Sequence, residues 1–155
     1  MKPLFLGLTM CFSLCGLLPA GEPAKEEAKK LQGSWNIVSA QMAGMDVPID
    51  KLGVAKLVFK GDKMSYLKAD GTAVKVFGFT IDPGKKPKAM DWIVLDQKDA
   101  RPLPAIYALD GDELKLCFPL LPKKGEKDPP PVVRPDGFDT KDKAAGMFVA
   151  KREKS

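Results

Sequence analysis

The chain has 155 residues, 45% hydrophobic and 29% charged, a balance that excludes wholesale disorder and predicts one domain with a buried core. Its formal charge is +5, from 25 Lys and Arg against 20 Asp and Glu. That excess is small and broken by acids along the chain, without the basic stripe and stacking aromatics of a nucleic-acid binder.

Residues 1–20 read MKPLFLGLTMCFSLCGLLPA. A lysine, an apolar stretch from Leu4 to Leu18 and a small-residue end are the order of a secretory signal peptide. The apolar stretch is short of the roughly 20 residues of a membrane span, so no integral span is expected in the mature chain. Cleavage fits after Ala20 or after Ala24. Met10 before Cys11 and Leu14 before Cys15 are too bulky for a lipoprotein signal, which argues against a lipid anchor. The protein is therefore expected to be exported, to the periplasm or beyond. Loss of the leader removes Lys2, leaving 24 basic against 20 acidic residues, or +4. It also leaves Cys117 as the one cysteine, so no internal disulfide is expected. With no histidine in the chain to activate its thiol, Cys117 is expected to be structural.

Residues 21–30 form a polar spacer with a turn of helix running into Leu31. From Gly33 onward the pattern has period two, the repeat of half-buried strands. Trp35, Ile37 and Ser39 share one face, as do Ala55, Leu57 and Phe59. Lys60-Gly61-Asp62 is a turn, with Met64 and Tyr66 alternating beyond it. Asp70-Gly71 is a two-residue hairpin signal. Val74 and Val76 face one way and Phe77, Phe79 and Ile81 the other, which suggests a bulge near Gly78. Asp82-Pro83-Gly84 closes that strand. Lys85, Lys86 and Lys88, flanked and split by prolines, read as a solvated loop rather than a phosphate site. Met90, Trp92 and Val94 alternate next. Ile106 to Leu109 leads into a second hairpin at Asp110-Gly111-Asp112, followed by Leu114, Leu116 and Phe118. Gly146 to Arg152 is the closing strand.

Residues 119–143 are rich in proline and lysine. Proline lacks the ladder N–H, so this stretch is no central strand. It reads as a mobile surface loop or a binding loop. About eight strands joined mostly by tight turns predict an all-β chain: a small, lipocalin-like, up-and-down antiparallel barrel over residues 31–155. Eight strands leave an interior either filled by side chains or wide enough for one small ligand.

The stretches LQGSW (31–35), GMDVP (44–48), LVFKGDKM (57–64), IDPGKKPKAMD (81–91), IYALDGDELKLCF (106–118), RPDGF (134–138) and FVAKRE (148–153) together resemble an uncharacterised, exported, lipocalin-like domain family abundant in planctomycete bacteria. The resemblance covers nearly all of the chain after the leader. It implies a fold and a compartment and carries no activity. Gly33-x-Trp35 also resembles the Gly-x-Trp signature on the first strand of lipocalins. That resemblance implies a tryptophan plugging the closed end, with Arg152 stacking across it and Arg134 a poorer match. An ordinary core tryptophan is the other reading of Trp35.

No CxxC, GxGxxG or GxxxxGK[ST] occurs in the chain, and the commonest general base and zinc ligand are missing with histidine. Asp110, Asp112 and Glu113 read as a turn rather than a calcium loop. Glu113, Asp91 and Asp96 are the carboxylates nearest the buried side, and no spacing pairs any two of them. The chain is therefore read as no enzyme, with no cofactor, no metal and no nucleic-acid partner. In one functional reading the barrel holds a small, largely apolar ligand in the cell envelope, lined by Trp35, Phe59, Tyr66, Trp92 and Phe118, in a cavity of roughly 300 Å³ or more. In the other the same side chains fill the barrel. The outer face or the Pro-rich loop then meets an envelope protein or a surface polymer. Ligand binding ranks first, by analogy with lipocalin-like folds.

Overall fold

A computed structural model describes residues 22–129 and 131–155, so the expected signal peptide lies outside the described residues. Helix α1 covers Glu22–Leu31, and Lys29 and Lys30 in its last turn suit the negative end of the helix dipole. The stretch read as a polar spacer is thus almost entirely helical. Its length follows from what one face buries. Leu31 is fully buried and Glu27 nearly so, and the Glu27 carboxylate accepts hydrogen bonds from Lys88 and from the Tyr107 hydroxyl. Burial first, and the Glu27 charge second, push the Tyr107 hydroxyl pKa up.

The strands are β1 (Gly33–Met42), β2 (Met45–Asp46), β3 (Lys56–Lys60), β4 (Lys63–Leu67), β5 (Ala73–Asp82), β6 (Lys88–Val94), β7 (Leu103–Asp110), β8 (Glu113–Pro119) and β9 (Ala145–Arg152), with a short helix α2 at Ile49–Leu52. Neighbours in sequence pair antiparallel from β3 to β9. Strand β1 pairs with β3 on one side and β9 on the other, which closes the sheet. The result is an all-β, eight-stranded, up-and-down barrel, with β2 folded back on the end of β1. Closure gives each of the eight barrel strands a partner on both sides, though not along its whole length.

Three sequence expectations change in detail. Ile37 pairs with Ala150 and Ser39 with Val149, so Val38 is a bulge residue. The bulge turns Ser39 outward and Ala40 inward. Along β5 the parity is unbroken: Phe77 and Phe79 are buried while Val74 and Val76 are exposed, and the irregularity lies opposite Tyr66 and Leu67. Asp70-Gly71 sits in a five-residue loop between β4 and β5. There the Asp70 carboxylate accepts the Thr72 N–H at 2.8 Å, which stabilises the wider turn. The second hairpin is tight, because Asp110 pairs directly with Glu113.

The closed end carries the signature residues. The Trp35 indole donates to the Leu31 carbonyl at 2.8 Å. The Arg152 guanidinium stacks 4.2 Å from the Trp35 ring and donates to the Lys30 carbonyl at 2.6 Å and the Gln32 carbonyl at 2.9 Å. These are carbonyls that a helix C-terminus leaves without intrahelical partners. Gly33 has φ 111°, and a Cβ there would lie 3.5 Å from the guanidinium. The positive φ is what calls for glycine, since a Cβ at that distance would make only ordinary contact. Arg134 lies elsewhere, hydrogen-bonded to β6 and β7 as described below.

Toward the other end, five rings close a circuit across the barrel interior. Centroid separations run 5.0 Å for Tyr66–Phe77, 5.9 Å for Phe77–Trp92, 5.3 Å for Trp92–Phe118, 4.9 Å for Phe118–Phe148 and 6.1 Å for Phe148–Tyr66. Each is in the range where aromatic pairs contribute beyond their buried area. Gly146 makes room for this packing, since a Cβ there would meet Phe118 and Met42 at 2.7 Å.

The Pro-rich segment is not uniformly loose. Phe138 covers an outer-wall cluster of Ile106, Cys117 and Ala145. Thr140, almost fully buried, accepts from the Gly44 N–H and donates to Gln41. Leu121 and Val133, by contrast, are exposed at 60% and 61%. Its second half is docked on the barrel.

Candidate functional site

All five expected lining residues face inward, yet the structure divides them. Within one continuous core, Trp35 and Phe59 lie toward the closed end, near Gly33, and Phe59 meets Phe79 edge-on at 5.2 Å. Tyr66, Trp92 and Phe118 belong to the aromatic circuit. None of the five lines any of the described clefts. Burial pushes the Tyr66 hydroxyl pKa up. The Trp92 indole N–H is buried with no hydrogen-bond partner among the described residues. A buried donor left unpaired costs about 1–3 kcal/mol, which marks this position as unfinished.

Next to Trp92 the barrel wall is open. Strand β6 ends at Val94, and β7 begins at Leu103 between Pro102 and Pro104. Pairing of β7 with β8 starts only at Ile106 with Cys117, whereas β8 continues with β9 as far as Pro119. Leu103, Pro104 and Ala105 therefore have no partner on β8. Proline explains part of this, having no N–H to offer a neighbouring strand. The Pro-rich segment supplies substitutes. Arg134 donates to the Ala105 carbonyl at 2.7 Å and to the Asp91 carboxylate at 2.6 Å.

Above this seam lies a cleft of about 600 Å³. Val94, Ala100, Leu103, Leu121 and Val132, with three prolines, form its apolar walls, and Gln97 and Arg101 are its polar groups. Val94 is buried and Leu103 packs against the core, so the cleft floor is the barrel rim itself. Leu103 is the cross-strand partner of Trp92, which puts the unpartnered indole one strand behind the cleft wall. Arg101 is exposed and makes no ion pair among the described residues. The arrangement suits an apolar body with one acceptor or anionic end.

The three carboxylates considered for acid–base work are not brought together. Asp91 is tied to Arg134, Asp96 follows β6 at the rim, and Glu113 begins β8 at the opposite end. Among the described residues no group of three His, Cys, Asp or Glu is placed to hold a metal ion. Cys117 is fully buried on the outer wall under Phe138, and burial pushes its thiol pKa up, against a smaller opposing effect of Lys143. Sequence reading missed the cleft residues. Their signals were the two prolines around Leu103 and the apolar Leu121 and Val132 in an otherwise proline- and lysine-rich stretch. No protein-family model, no curated protein and no solved structure matches this chain.

Proposed function

We propose that this protein is an exported binding module for a small, largely apolar ligand, held at the barrel rim rather than along the barrel axis. One observation carries the reading: an apolar-walled cleft of about 600 Å³ opens beside an interior already occupied by aromatic rings. Its size lies within the roughly 300–1,000 Å³ of small-molecule sites, and a few polar groups among apolar walls are typical of them. Arg101 orients an anionic or acceptor end. The compartment rests on the leader and on the resemblance to exported lipocalin-like proteins. No bond-making step, metal or cofactor enters the proposal.

Native mass spectrometry of the mature protein from its own envelope fraction, followed by organic extraction, tests it. A stoichiometric small molecule that is lost in Val132→Glu, with Tm unchanged, is the expected result. A clean apoprotein mass, with no Tm shift across a lipid and metabolite panel, defeats it. The alternative is an interaction protein with a filled barrel. The exposed Val74, Val76 and Ile93 on the outer wall of β5 and β6, with Leu95 just past β6, favour it, and a co-purifying protein on that wall would replace the first reading.

A further inference from the structure

We propose a second site, for an acidic saccharide, in the groove at the closed end where the β5–β6 turn faces β7 and Phe138. It is independent of the rim cleft and lies at the opposite end of the barrel. The groove holds about 300 Å³; Lys85, Lys86 and Lys88 line it and no carboxylate does. Lys88 is committed, bonded to Glu27 and lying 5.9 Å from the Tyr107 ring. Lys85 and Lys86 are exposed and make no ion pair among the described residues. The turn that displays them is stiff. Pro83 and Pro87 fix two of its φ angles, and the Asp82 carboxylate accepts the Gly84 N–H at 3.1 Å, which tightens the turn.

Between these ammonium groups the floor is apolar. Pro83, Pro87 and the half-buried Phe138 contribute to it, and Phe138 is backed by the Ile106–Cys117–Ala145 cluster. An inorganic anion gains nothing from such a floor, and an apolar ligand gains nothing from unpaired lysines. A sugar ring bearing a carboxylate or sulfate uses both. Its C–H face lies on an aromatic or proline face, and its anionic group meets an ammonium. Lysine acts as a compact point charge with no fixed fork geometry, so either anion fits. A nucleic acid would need a longer basic stripe.

Titration calorimetry of the mature chain with a trigalacturonate and with a sulfated disaccharide separates the two sources of charge. Saturable binding of at least one is expected, weakened about tenfold in Lys85→Ala/Lys86→Ala. Phe138→Leu keeps the cover on Cys117 but removes the aromatic face, and weakens it about threefold. Lys123→Ala/Lys124→Ala removes the same charge from the exposed Pro-rich loop and leaves binding unchanged. Binding falls as salt rises from ~0.1 to ~1 M, because the screening length drops from ~10 to ~3 Å. Melting curves of both double variants match the parent, since all four lysines are exposed. The proposal is overturned if neither saccharide saturates at millimolar concentration, or if both lysine pairs matter equally. It is also overturned if a neutral trisaccharide binds as well, or if inorganic sulfate competes as strongly as the saccharide.

Discussion

Replacing Arg152 with methionine isolates what holds α1 to the barrel. Methionine keeps the aliphatic stem and loses three interactions. The first is the stacking on Trp35 at 4.2 Å, worth about 1 kcal/mol. The second is the pair of donations to the Lys30 and Gln32 carbonyls. The Arg152 side chain keeps 31% of its exposure, so about 1 kcal/mol each is the appropriate discounted value for these charge-assisted bonds. The third is the exposed pair with Asp112 at 3.2 Å, worth about 0–0.5 kcal/mol. The sum is about 3 kcal/mol, which at about 4 °C per kcal/mol lowers Tm by about 12 °C in a domain of this size. Urea denaturation and a thermal melt of the chain starting at Gly21 give the total. Hydrogen exchange of the α1 amides locates it, because α1 should open before the barrel does. Asp112→Asn is the control and should cost no more than about 0.5 kcal/mol. The reasoning fails if Arg152→Met is as stable as the parent, or if Asp112→Asn costs as much.

Trp92→Phe removes a donor that has no partner among the described residues, so by urea denaturation it should cost about 1 kcal/mol or less; a loss above about 3 kcal/mol would mean the indole N–H is satisfied. Cys117, buried and with its thiol pKa raised, should react with a maleimide at neutral pH only as the protein unfolds. Native labelling at the rate of a free thiol would contradict that. Arg134→Ala leaves the Ala105 carbonyl without its side-chain donor and should cost about 1–3 kcal/mol. Limited proteolysis within residues 134–143 should accelerate, and an unchanged digestion pattern would show that the segment docks without it.

The barrel was legible where apolar side chains alternate without ambiguity, as at Leu57, Phe59, Met64 and Tyr66 or at Leu114, Leu116 and Phe118. Those positions must share a face whatever else happens. The Val38 bulge was not legible, because valine sits comfortably on either face of a strand. The docking of α1 depends on partners distant in sequence, Lys88 and Tyr107 for Glu27 and Arg152 for the helix C-terminus, and a polar helix read alone shows none of them. The same holds for the Pro-rich segment. Its prolines announce that it is no strand, but the fit of Arg134 to an unpaired stretch of β7 exists only once β7 and β8 have diverged. The rim cleft arises from that divergence, so side-chain alternation pointed to the barrel axis instead. Gly33, Trp35 and Arg152 were legible as a set only through resemblance, and their geometry supplies the reason: they cap a helix.

The chain has two tryptophans, in opposite hydrogen-bond states. The Trp35 indole N–H is held by the Leu31 carbonyl, and that of Trp92 has no partner among the described residues. A proton–nitrogen correlation spectrum of the chain starting at Gly21, titrated with N-phenylnaphthylamine as an apolar probe, reads both at once. Binding at the rim moves the Trp92 indole resonance and the amides of Val94, Ala100, Leu103 and Val132 in a saturable way, and leaves the Trp35 indole in place. A shift centred on Trp35 and Phe59, or a saturating ligand that moves neither Trp92 nor the rim amides, would contradict the rim site.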